Sequence, residues 1–321
     1  MNEKDRKVIL VTVTFNSSHF LKRLITAVAA ESYPVQKLIV VDNNSSSEHK
    51  AVIASLAKEY PFVEVVTSES NLGGAGGFET GIRTVLDKGY VCDDIWIMDD
   101  DAFPREDCLE ILAAHMNDEV GAVVPMIFGV DFQRYQFFHH KRESKYLDTD
   151  IRLGNCLDDF YDGMEVETNA FVGPLIRLSV IKDVGLPDGG LFIYGDDTEY
   201  MYRISRKYKV ILAKEAVINH RDIRNDAGVV NPKGIWKDYY KYRNRFLFVQ
   251  KYKKSFQDGL RGKWLVAVKV AKEIHWTRKN PGYNGIRKPR RYCLFQALKD
   301  GLRNKGGKTI DPQEFNTRYG L

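Results

Sequence analysis

No stretch of this 321-residue sequence approaches 18 consecutive apolar residues, which excludes a bilayer-spanning helix. Cysteine is scarce: Cys92, Cys108, Cys156 and Cys293 stand too far apart for a CxxC zinc or redox pair and read as buried free thiols. The 25 glycines follow no triplet period, so a collagen-like chain is excluded too. The opening MNEKDRKVILVTVTFN has neither a long apolar core nor a small-residue cleavage site, and the expected location is the cytosol. What is present is core material. With 44% hydrophobic residues, 17 Phe, 17 Tyr and 4 Trp, the chain is too apolar to be disordered.

The formal net charge of +5 hides an asymmetry. Residues 233–308 hold 22 Lys or Arg against four acids (Asp238, Asp258, Glu273, Asp300), a local charge of +18, and the rest of the chain carries −13. An acidic body with a basic module suits a polyanionic partner: nucleic acid, anionic lipid headgroups or a diphosphate-bearing substrate.

Apolar strands alternate with amphipathic helices over the first 115 or so residues. VILVTVTF, KLIVVD, VEVVTS and DDIWIM read as buried strands. Between them, Leu21, Leu24, Ile25 and Val28 recur at helical spacing, and KAVIASLAKEY, FETGIRTVLDKGY and REDCLEILAAHM continue the pattern. Four such alternations predict an α/β fold with a doubly wound, mostly parallel sheet sandwiched by helices, whose ligand sits at the carboxyl ends of the strands. Asp42, Asn71 and Asp99–Asp101 fall at those ends. Residues 121–231 are less regular, with strands expected at GAVVPMIF and KVILAKEAVINH. From 233 onward the pattern is helical and basic. The expected domains are 1–230 (a nucleotide half of about 1–125 and an acceptor half of about 126–230) and a helical region over 231–321.

Four motifs bear chemistry. In WIMDDDAFP, Asp99 and Asp101 share one face of an extended backbone, and carboxylates that close call for a hard cation such as Mg²⁺ or Mn²⁺. A solvated acidic turn is the ordinary alternative. NLGGAGGFETG is no dinucleotide fingerprint, because Glu79 stands where the third glycine belongs, and no P-loop, because no Gly-Lys-Ser/Thr follows. A glycine-rich loop entering a helix still lets backbone N–H groups approach a phosphate or sugar. YGDDTEYMYR offers Asp196, Asp197 and Glu199 either as a general base or as acids favoured by a helix dipole. His220, ending KVILAKEAVINH, is a structural histidine or a third metal ligand.

Taken in order from Val8 to about Asn225, these segments resemble the family 2 glycosyltransferases of GT-A fold, most closely the galactofuranosyltransferase and rhamnosyltransferase branch. The resemblance implies that Thr14 and Asp42 line the nucleotide base pocket. Asn71, Gly73, Gly74 and Gly77 would pass under the ribose, diphosphate and sugar, with Asp100 nearby. It implies a metal site on Asp99, Asp101 and His220, and Asp197 as catalytic base. Gly195, where related galactofuranosyltransferases often carry Trp, and Asp196, where many members carry Glu, are acceptor-side candidates.

The expected activity is an inverting, Mn²⁺- or Mg²⁺-dependent transfer of galactofuranose from UDP-galactofuranose to a hydroxyl of a cell-surface glycan or lipid-linked precursor. dTDP-rhamnose is the alternative donor, and a non-catalytic nucleotide-sugar-binding subunit the alternative class. The expected partners are the donor, the acceptor and the inner face of an anionic membrane, touched peripherally by the basic region. Nucleic acid is not expected, since no recognised binding motif is present; a homo-oligomer is left open.

Overall fold

A computed structural model describes residues 6–129, 134–136, 138–221 and 231–321. They form two compact units that are not consecutive in sequence. The first comprises Met1–Arg142, Arg152–Gly189 and Asp197–Asp222; the second comprises Glu143–Ile151, Gly190–Asp196 and Ile223–Leu321. The expected domain boundary at 230 falls at residues outside those described.

In the first unit, β1 (Val8–Thr14), β2 (Lys37–Asp42), β3 (Val63–Thr67) and β4 (Asp94–Asp99) pair in parallel, in the order β3-β2-β1-β4. Alternate residues of β1 serve two cores. Val8 and Leu10 meet Leu21, Leu24 and Ile25 of α1 (Ser18–Ala29), with Ile53 and Leu56 of α2 (Ser47–Glu59) in the same cluster. Ile9 and Val11 meet Phe78, Ile82 and Val85 of α3 (Gly73–Asp87) on the other face. A sheet covered on both faces explains why its strands read as continuous apolar runs.

The glycine run is not a loop ahead of α3 but the first turns of that helix. A Cβ on Gly77 or Gly81 would collide with Val13 or Val11. The glycines therefore bring α3 down onto β1, a packing demand that helix propensity alone does not reveal.

Beyond β4 the chain reverses into β5 (Ala102–Pro104), then forms α4 (Cys108–Ala114) and β6 (Val120–Phe128). A short ribbon, β7 (Lys141–Glu143) with β8 (Asp150–Arg152), precedes β9 (Val172–Arg177) and α5 (Leu178–Val184). Next come α6 (Asp196–Ser205) and β10 (Lys209–His220). The eight-stranded order is β3-β2-β1-β4-β9-β6-β10-β5, with β9 antiparallel to both neighbours and β5 antiparallel to β10. β5 and β9 are the strands the pattern does not announce. β5 is three residues long, and β9 contains Gly173 at φ +84° followed by Pro174, both breakers by type. A side chain at Gly173 would strike Ile218, and its carbonyl accepts the Trp96 indole N–H at 2.9 Å. Cys92, Cys108 and Cys293 are buried as expected; Cys156 is exposed, because its short helical turn Leu157–Asp159 lies on the surface.

In the second unit α7 (Lys237–Tyr252), α8 (Phe256–Lys279) and α9 (Arg287–Leu302) pack against one another, followed by α10 (Pro312–Tyr319). Their core is aromatic: Phe192, Trp236, Tyr239, Tyr240 and Phe315 with Cys293 and Ala297. Arg290 ties the three helices together. It bonds Asp238 at 2.7 Å and both Glu273 and Thr277 at 2.5 Å, and its guanidinium covers the Tyr283 ring. Asp300 accepts from Tyr239 at 2.9 Å, and Asp258 closes the α8 amino terminus with Ser255. All four acids of the basic segment are thus engaged internally.

Candidate active site

Topology explains how Asp99, Asp101 and His220 meet. Asp99 ends β4, and the reversal through Asp100 and Asp101 starts β5, whose first residue, Ala102, lies opposite His220 on β10. The His220 Nε2 stands 3.4 Å from Asp101 Oδ1 and 4.0 Å from Asp99 Oδ2, so the three side chains form a compact donor set. Two carboxylates and an imidazole suit Mn²⁺ or Mg²⁺. A further observation tests that fit. His220 Nδ1 lies 3.2 Å from Gln136 Oε1, and the Gln136 amide donates to the His220 carbonyl at 3.0 Å. With its proton on Nδ1, the ring presents the Nε2 lone pair to the two aspartates, the arrangement a metal-bound histidine requires. His139 Nε2 sits 2.7 Å from the same Gln136 oxygen, and its ring packs edge-on to that of His220. Sequence reading missed Gln136 and His139, and no signal short of the fold marks them.

Asp100 turns away from this set, toward the end of β1. Burial pushes its carboxyl up to about 7, with the neighbouring Thr14 and Ser17 hydroxyls pulling the other way. Thr14 and Asp42 are register partners at the carboxyl ends of β1 and β2, both buried. Asp42 is held by a hydrogen bond from the Ser45 backbone N–H at 3.0 Å. The next residue, Asn43, braces the head of α3: its amide donates to the Gly73 carbonyl at 2.9 Å and to Asn71 Oδ1 at 3.2 Å, and its oxygen accepts from the Leu72 N–H at 2.9 Å. Asn71 in turn accepts from the Gly73 N–H at 2.8 Å, with Gly73 at φ +72°. Asn43 is a further residue that sequence reading passed over as part of a cap cluster. Gly74 is half-buried at the helix start, whereas Gly77 is buried against β1.

Asp197 is the second residue of α6 and is half-buried, its Oδ1 taking the Thr198 N–H at 2.5 Å. Glu199 is structural, held bidentately by Arg203, which also donates to the Val184 and Leu186 carbonyls. The segment before α6 is strained. Phe192 (φ +67°), Tyr194 (φ +63°) and Gly195 (φ +84°) are all left-handed, which costs about 1–2 kcal/mol for each non-glycine residue. Asp196, next in sequence, is buried.

Known proteins match this sequence and this fold. The profile of Glycosyl transferase family 2 matches residues 9–185. Galactofuranosyltransferase GlfT1 of Mycolicibacterium smegmatis is 28% identical over 205 residues, covering 62% of this chain and 65% of that protein, so just under two thirds of the relative is spanned. Among solved structures, GalNAc-T7 with UDP, GalNAc and Mn²⁺ superposes with a TM-score of 0.63 at 15% identity, over 98% of this chain and 58% of that one. The mannosyltransferase PcManGT from Pyrobaculum calidifontis, in complex with GDP-Man and Mn²⁺, gives a TM-score of 0.56 at 14% identity, over 94% and 88%. These two share the GT-A fold with the eight-stranded sheet described above. With more than half its length matched by the family profile, the chain belongs to glycosyl transferase family 2.

Proposed function

We propose that this chain is an inverting, metal-dependent hexosyltransferase that moves galactofuranose from UDP-galactofuranose to a hydroxyl of a glycan or lipid-linked acceptor. The observation that carries the reading is the Asp99–Asp101–His220 set with His220 oriented by Gln136. The likeness to GlfT1 favours the donor sugar. An ion bound by that set, Mn²⁺ or Mg²⁺, supplies charge neutralisation for the departing nucleotide diphosphate.

The chain's own residues do the rest. Thr14 and Asp42 hold the base, Asp42 accepting from the pyrimidine N–H. Asn71, Gly73 and Gly74, braced by Asn43, present the head of α3 to the ribose and diphosphate, with Asp100 beside them. Asp197 takes the acceptor hydroxyl proton as that oxygen bonds to the anomeric carbon, and the bond from that carbon to the diphosphate oxygen breaks on the opposite face. The electron pair leaves with UDP.

A donor panel with Mn²⁺ or Mg²⁺, read as nucleotide diphosphate release, tests this reading. Turnover of UDP-galactofuranose but not dTDP-rhamnose is expected. The reverse reassigns the donor, and binding of donor without turnover of any makes the chain a nucleotide-sugar-binding subunit.

The basic unit supports a peripheral membrane contact as a second component. Phe256, Leu260 and Trp264 recur every four residues on α8, with 73%, 56% and 62% of their surface exposed. Arg261, Lys272 and Lys279 lie exposed on the adjoining face of that helix. Aromatic side chains at headgroup depth beside cations fit an anionic leaflet. Among the described residues no helix is long and apolar enough to cross a membrane. Vesicle flotation that fails at low salt contradicts this contact.

A further inference from the structure

The strained segment ahead of α6 has a dedicated clamp. One buried side chain on α7, Asn244, shares the two hydrogens of its amide among three carbonyls of that segment: those of Leu191 at 3.0 Å, Ile193 at 2.9 Å and Tyr194 at 2.6 Å. These carbonyls converge because Phe192 and Tyr194 are left-handed, so the conformation and the amide that satisfies it belong together. Neighbouring Arg243, also buried, donates to the Leu191 carbonyl at 3.1 Å and to the Lys305 carbonyl at 3.1 Å. The Gly307 N–H reaches the Gly190 carbonyl at 2.7 Å. Anchored at its start by these bonds, the segment depends on Asn244 for the shape of its last turn. Gly195 and Asp196 follow directly, then Asp197.

We infer that Asn244 is a positioning residue: by fixing the Leu191–Tyr194 backbone, with Phe192 and Tyr194 left-handed, it sets the turn through Gly195 at which α6 begins and so the aim of Asp197. This rests on Asp197 being the base. Strain of this kind persists only where surrounding groups over-determine it. The use for it here is to hold a carboxylate in a reacting orientation that a relaxed turn would not give.

The test uses the full chain with Mn²⁺ and UDP-galactofuranose, measuring kcat and KM for donor hydrolysis and the affinity for UDP by calorimetry. Asn244→Ala is expected to lower kcat by about ten- to a hundredfold, as misplacement of a catalytic group does, with KM and UDP affinity within about twofold of the parent. Adding Tyr194→Gly, which makes the left-handed turn cost-free, is expected to restore part of that loss relative to Tyr194→Gly alone. Should Asn244→Ala not fold, Asn244→Ser fills more of the site, keeps one donor and carries the same comparison. Unchanged kcat overturns the inference, as does a kcat loss matched by an equal loss of UDP affinity, which marks a merely structural role. Asp197→Asn run in parallel separates the two claims. Full turnover there overturns the base assignment, whereas its loss beside an intact Asn244→Ala overturns only the positioning role.

Discussion

The two units differ in where their acids gather. In the first, acids converge: Asp99 and Asp101 share a donor set with a histidine, and Glu31 lies among Glu106, Asp107 and Glu110. In the second, three of the four acids of the basic segment are matched between helices, Arg290 alone holding two of them, and Asp258 caps α8 with Ser255. Like charges gathered at a sheet edge cost stability and are retained for what they bind. Paired charges in a bundle hold helices together and leave the surplus of lysine and arginine to the surface. The first unit's charges should therefore govern activity, and the second unit's should govern folding.

The largest expected contrast lies in the donor set. Asp101→Asn should lower transfer by about 10²–10⁴-fold, the several kcal/mol that a metal site supplies, while the metal-free melting temperature holds or rises because a repulsion is relieved. Arg290→Ala should do the converse. It removes a buried guanidinium from the partly exposed Asp238 and Glu273 and is expected to cost about 1.5–3 kcal/mol in urea unfolding, with turnover per folded molecule unchanged. If Asp101→Asn destabilises the apo-protein as much as Arg290→Ala does, the contrast fails.

Smaller effects sharpen it. Gln136→Ala should weaken Mn²⁺ affinity by about 10–100-fold, since His220 loses the partner that fixes its ring, and calorimetry reads this directly. Glu31 gives a pH signature. Burial raises its carboxyl to about 8 in the folded state against 4.5 when exposed. The native state thus holds the proton more tightly, and stability should fall as pH rises through that window, by on the order of 1–3 kcal/mol. Glu31→Gln should flatten the fall, and an unchanged slope would refute the assignment. The smallest effect concerns α8: Trp264→Ser should weaken binding to anionic vesicles by about tenfold or less, without altering donor hydrolysis.

Much of this was legible in the sequence because parallel strands are apolar throughout and end in polar residues where the chain turns. That pattern placed β1 to β4 and, with them, Asp42 and Asp99 at strand ends; Thr14 came only from the family resemblance. What it could not show depends on partners distant in sequence. The reversal into three-residue β5 brings Asp101 to His220, yet AFP carries no strand signal of its own. The glycines of α3 resemble a loop until Val11 and Val13 are seen against them. Asn43, Gln136 and Asn244 are ordinary polar residues whose roles lie wholly in what they bond. Gly190–Asp196 clusters with the helical unit through hydrogen bonds that no periodicity encodes.

Manganese binding followed by electron paramagnetic resonance, with and without UDP, meets the central claim most directly. The parent chain should retain bound Mn²⁺ and hold it more tightly with UDP, and Asp101→Asn and His220→Ala should each lose most of that binding while still folded. Unaltered Mn²⁺ binding in both variants would contradict the site.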